Sequence, residues 1–260
     1  MVTRAPRLLV LVGLVACSSK KPSVDDELHA TPRPDAMVAD GAAPPTGPTG
    51  PAGPAGEVQV RVEWKDVPTA LRASPGRTPC NTPRPAAIAP TTTWGVPDVF
   101  VVVEGAPKPP GQPAESRVTL ADCALAPRVA VGSALVVDST LERPAKLAIT
   151  RRGELAKLDA LADGTPRPIQ LPIAGHAVAI ALDANGVYQL ALGDETAWIV
   201  AGPAAITDAS GVATLRNVGA GAHAVTAWLP PRSGQPARVA RGTITVVANE
   251  LAELTLDLAK

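Results

Sequence analysis

Aromatic side chains are scarce in this chain: four Trp, one Tyr and one Phe in 260 residues. That is too few to build a stacking platform for bases or sugar rings. Positive charge is not in surplus, since 24 Lys and Arg balance 24 Asp and Glu. With no basic run or stripe, nucleic acid is not an expected partner. Three His, three Cys and two Met leave little material for soft-metal chemistry. The sequence has no Gly-x-Ser-x-Gly elbow, His-Glu-x-x-His pair or Gly-rich phosphate loop. Ser133 lies inside a strand-like run and reads as a surface hydroxyl, so no enzyme is expected.

The N-terminus carries an address. Arg4 and Arg7 precede a nine-residue apolar run, Leu8 to Ala16. This length suits a signal-peptide core and is well short of the ~20 residues that span a bilayer. The run ends in Leu14-Val15-Ala16-Cys17, which resembles the bacterial lipobox. The resemblance implies a signal peptide over 1–16, diacylglycerol and acyl groups on Cys17, and stable anchoring, because each buried methylene contributes ~0.8 kcal/mol. Ser18 stands where an Asp would favour inner-membrane retention, so sorting to the outer membrane, on its periplasmic or cell-surface face, is expected. With Cys17 lipidated in an oxidising compartment, Cys80 and Cys123 allow a single pairing, and a Cys80–Cys123 disulfide is expected, the alternative being two buried thiols.

Residues 17–56 have no hydrophobic period and consist largely of Pro, Gly, Ala and Thr. Such a segment cannot bury enough surface to offset its ordering entropy and reads as a disordered tether. Gly47 to Gly56 forms three Gly-Pro-X triplets, too few for a collagen helix. In extended form the tether reaches about 100 Å. His29 lies within it.

From Glu57 the pattern becomes that of strands. "EVQVRVEW" alternates as Val58, Val60, Val62 and Trp64, while "DVFVVVEG" and "SALVVDS" are continuous apolar runs. Further candidates are "RVTL", "PIQLPI", "HAVAIAL", "VYQLAL", "AWIVAG", "VATLRNV", "HAVTAW", "RGTITVV" and "LAELTLDL". Turn signals every 8–12 residues predict an all-β sandwich. One segment departs from this: Leu155, Leu158 and Leu161 sit at helical spacing. Between Pro68 and Pro97 the chain reads as irregular and pinned by Cys80.

Two stretches carry a family resemblance. "RVTLADCALAPRVAVGSALVVDSTLERPAKLAI" (117–149) resembles the opening of plastocyanin-like cupredoxins of bacterial exported proteins. "AWIVAGPAAITDASGVATLRNVGAGAHAVTAW" (197–228) resembles their tail, which is related to the carboxypeptidase regulatory-like β-sandwich. The resemblance implies a Greek-key, cupredoxin-like sandwich over 57–203 and a carboxypeptidase-regulatory-like module over 204–260. "EVQVRVEW" is a candidate to pair with that module.

The resemblance does not extend to copper. A type 1 site takes two imidazoles and a thiolate, usually with an axial thioether. "DSTLERPAKL" contains no His, and "VYQLALGDETA" contains no Cys, His or Met. His176 and His223 each open a strand beside Gly; Asp194 and Glu195 flank a turn, and Asp183 and Asp208 lie in "DANG" and "DASG", which have the residue types of hairpin turns. No cofactor or metal ligand is expected. The reading is a membrane-anchored, non-catalytic binding or scaffolding protein facing an envelope protein or glycan. The alternative is a copper-binding or electron-transfer protein with atypical ligands.

Overall fold

Val58, Val60 and Val62 alternate with polar residues, and strand β1 (Ala55–Glu63) buries all three valines completely. The structure is a computed structural model that describes residues 54–259 apart from 75, 79, 89–92, 109–111 and 233–234. The signal segment, Cys17, His29 and the tether as far as residue 53 lie outside the described residues. β1 starts at Ala55, so Ala55 and Gly56 of the segment read as tether belong to a strand.

After β1 come a single helical turn, α1 (Thr69–Arg72), and then β2 (Phe100–Val103), β3 (Glu115–Ala121), β4 (Ala124–Ala126) and β5 (Val129–Val131). β6 (Ala134–Ser139), β7 (Ala145–Glu154), β8 (Arg167–Leu171), β9 (Val178–Ala181) and β10 (Gly186–Leu192) follow. The chain continues through β11 (Glu195–Ala201), β12 (Ala205–Ile206), β13 (Val212–Gly219), β14 (Gly221–Leu229), β15 (Arg238–Val246) and β16 (Leu251–Asp257). The expected all-β sandwich is the architecture found. The helical spacing at Leu155 to Leu161 yields only a 3-10 turn, Leu155–Lys157, with Leu155 and Leu158 buried.

The strands form two sandwich lobes. In the first, a three-stranded sheet ordered β13-β1-β16 faces a four-stranded sheet ordered β12-β2-β14-β15. Their inner faces share one core of Val58, Val60, Val62, Val101, Val103, Leu215, Val225, Ala227 and Leu256. In the second, β5-β11-β10-β7-β8 faces β4-β3-β6-β9. Its core is Val118, Leu120, Leu135, Val137, Leu147, Ile149, Leu171, Leu190 and Ile199. Both second-lobe sheets are mixed, because β5 runs parallel to β11 and β3 parallel to β6.

The chain does not complete one lobe before starting the other. β1 is hydrogen-bonded antiparallel to β13 and parallel to β16, and β2 pairs with β12 and β14. Strands before residue 106 therefore share sheets with strands after residue 204, and the second lobe is inserted between them. β1 and β2 fall within the 57–203 segment of the sequence reading, yet their ladder partners all lie in 204–260. Both lobes belong to one compact unit. They meet on a third apolar cluster in which Phe100 stacks on Trp228 (centroids 5.5 Å apart) and Trp198 meets Trp228 edge-on at 5.3 Å. The Trp198 indole N–H also donates to the Pro231 carbonyl, tying β11 to the first lobe.

Candidate functional site

The hairpin that would carry a copper ligand loop is β10–β11. Leu192 pairs with Glu195, so only Gly193 and Asp194 form the turn, with Gly193 at φ +58°. A two-residue loop with Gly first is the tight hairpin connection expected of its sequence and leaves no room for a ligand loop. At the other end, Asn185 rather than Gly186 takes the positive φ (57°). Gly186 is required for closeness: a Cβ there would meet the Tyr188 ring at 2.6 Å. The Tyr188 hydroxyl accepts from the Asp183 backbone N–H at 2.7 Å, and burial pushes this phenol above its ordinary range.

Around the hairpin tip guanidinium and carboxylate side chains gather. Arg84, Arg128 and Arg232 converge with Asp194, Glu195 and Thr196 on a small cavity. Arg84 Nε lies 2.9 Å from Glu195 Oε1, a charge contact whose N–H is not aligned as a hydrogen bond. Arg232 donates to the Ala87 carbonyl and to Asp98. Arg128 donates to the Ala86 and Pro85 carbonyls, each at 2.8 Å. Burial, then the neighbouring Arg232 charge, lowers the Arg128 guanidinium below its ordinary value. A guanidinium is not a copper ligand, and Glu195 and Asp98 are engaged by Arg84 and Arg232.

The other donors do not rebuild such a site. His176 is exposed in the turn before β9 of the second lobe, whereas His223 lies on β14 of the first. His223 has both ring nitrogens engaged, Nδ1 on the Glu104 carbonyl (2.8 Å) and Nε2 on the Gly219 carbonyl (2.7 Å). Cys80 and Cys123 are joined in a disulfide, so neither supplies a thiolate. Asp208 is a turn residue: one carboxylate oxygen accepts from Ser210 N–H, Ser210 Oγ–H and Val212 N–H. Among the described residues no group of three or more His, Cys, Asp or Glu is placed to hold a metal ion.

The disulfide anchors a strap. Cys80 belongs to the irregular segment between β1 and β2, and Cys123 to the β3–β4 turn, where Asp122 and Cys123 both take positive φ. The Thr78 and Thr82 hydroxyls donate to the Asp122 carbonyl. With Arg128 holding Pro85 and Ala86, a first-lobe connection is fastened along the second lobe at several points.

A cleft of about 880 Å³ lies between the lobes. Its floor is the outward face of the first lobe's four-stranded sheet. Pairing places Val102, Thr226 and Arg241 in one row across β2, β14 and β15, and Ala224 beside Thr243 in the next. Phe100 and Trp228, one row beyond, are covered by the second lobe. The wall is the 3-10 turn at Leu155 to Leu158 with Ala184, Asn185 and Pro203. Glu104, Glu154, Arg151 and Arg241 supply charge. Arg241 holds Asp159 at 2.6 Å, and this hydrogen bond keeps the Asp159 carboxyl below its usual range. Sequence reading missed the cleft because small and polar residues at alternate strand positions mark any solvent-facing sheet.

Searches against protein-family models, curated proteins and solved structures returned no match to this chain.

Proposed function

We propose that the protein is a lipid-anchored, non-catalytic binding protein of the bacterial outer membrane, and that the cleft between its lobes receives a segment of an envelope partner. The cleft is the observation that carries this reading. A volume of about 880 Å³ lies in the range of ligand sites, and its walls combine apolar surface with a few charged groups. No aromatic residue lines it, which favours an extended polypeptide over a glycan that needs stacking. Thr226, Thr243 and Ala224 give a low floor on which an extended chain can lie, with Glu104, Arg151, Glu154 and Arg241 offering both signs of charge. In this reading the second lobe is a cupredoxin-like sandwich without copper and the first is its carboxypeptidase-regulatory-like companion. Cys17 carries the lipid.

The test uses the full chain in intact envelopes, with a photocrosslinking residue at Thr243 in the cleft or at the exposed Glu253 on β16. A discrete adduct from Thr243 alone is expected. No adduct, or the same adducts from both positions, rejects the cleft. Acyl labelling lost in Cys17→Ser tests the anchor separately. For the rival copper reading, a stoichiometric ion in the purified protein would displace the proposal.

A further inference from the structure

A second site, independent of the cleft, lies at the tip of the β10–β11 hairpin. We infer that the cavity lined by Arg84, Arg128 and Arg232 binds one carboxylate group. Three guanidinium groups face it, and two of them have carboxylate partners: Arg84 meets Glu195 and Arg232 meets Asp98. Arg128 donates to the carbonyls of Pro85 and Ala86, two of its five N–H groups, and is in no ion-pair contact among the described residues; Glu195 and Asp98 act on its charge without contact. The buried Nε of Arg84 has no aligned acceptor despite its closeness to Glu195. Asp194 also lines the cavity but is exposed and pairs with none of the three arginines.

Size narrows the ligand. The cavity holds about 30 Å³, room for about two water molecules. A planar carboxylate places two oxygens in such a space and matches the guanidinium fork, whereas a tetrahedral phosphate is bulkier. The carboxylate comes either from a small organic acid or from the C-terminus of a peptide. Arg128 supplies the guanidinium without an ion-pair contact, and Glu195 competes with the ligand for it and for Arg84.

The experiment follows the unfolding midpoint of the purified full chain at constant ionic strength as chloride is replaced by acetate. Parallel arms use inorganic phosphate and a short alanine peptide with a free or an amidated C-terminus. Acetate is expected to raise the midpoint relative to chloride, because a ligand that binds only the folded state stabilises it. Arg128→Gln is expected to weaken acetate binding about tenfold, as loss of a charged hydrogen-bond donor does. Glu195→Gln leaves the Arg128 contacts in place and is expected to tighten it several-fold, so the idea stays testable if the arginine variant unfolds. Stabilisation by the free-acid peptide but not the amide assigns the site to chain termini. Stabilisation by acetate with an inert free-acid peptide assigns it to small acids. Equal midpoints in acetate and chloride, phosphate binding as tightly as acetate, or a Glu195→Gln response identical to the unaltered protein would each overturn the inference.

Discussion

Asp208 shows how one carboxylate can resemble a site and serve a turn. Its oxygen gathers three donors within residues 210–212, and the Ser210 hydroxyl, first among these, holds the carboxyl below its usual range. Gly211 completes the turn at φ +82°, where a Cβ would lie 2.6 Å from Gly95 Cα. Because the folded-state pKa is depressed, the stabilisation is present above the unfolded value near 4 and is lost as pH falls through the folded one. Asp208→Ala is therefore expected to cost about 0.5–1 kcal/mol at pH 7. That deficit should shrink below about pH 4. Urea titrations of both proteins at pH 7 and pH 3 measure it; an equal deficit at the two values would contradict the charge-based account.

Among elements, the strap has the clearest energetic consequence. The Cys80–Cys123 bond closes a separation of 43 residues, which corresponds to roughly 4 kcal/mol in the chain-entropy model. Cys80→Ser with Cys123→Ser is expected to lower the urea midpoint accordingly while leaving the β-sheet circular dichroism unchanged. An unchanged midpoint would mean that Arg128, Thr78 and Thr82 hold the strap without it. Strand identity was largely legible: β1, β2, β6, β10, β11 and β13 to β16 follow stretches whose alternation or apolar runs stand out in the sequence. β7, the longest strand at ten residues, was not, because Arg151, Arg152 and Gly153 interrupt its apolar run. β4, β5 and β12 have three residues or fewer, too short to show a period. The cleft was illegible for another reason: its residues come from strands and turns more than a hundred positions apart, and only the fold brings them together.

For the whole molecule, the nested chain order matters more than any single strand. β1 is the middle strand of its sheet and supplies Val58, Val60 and Val62 to the first-lobe core. A fragment of residues 204–260 lacks both β1 and β2 and is expected to stay unfolded, with random-coil circular dichroism and narrow amide dispersion. Adding 54–106 in trans should be required before sheet signal appears; an independently folded fragment would show that the later strands form a module without them.

The position of β1 also bears on how the molecule carries load. The chain preceding Pro54 leads directly into this strand, which is flanked by β13 on one side and β16 on the other. Tension from that direction acts along β1 and must shear two ladders of hydrogen bonds together. Because β16 runs parallel to β1, tension on the C-terminal side pulls β16 the opposite way along the same axis and shears their shared ladder. A protein tethered in this way grips its leash with its best-held strand. Single-molecule pulling between the two ends should therefore record the high rupture force of sheared strands; the low force of strands peeled apart one bond at a time would contradict this.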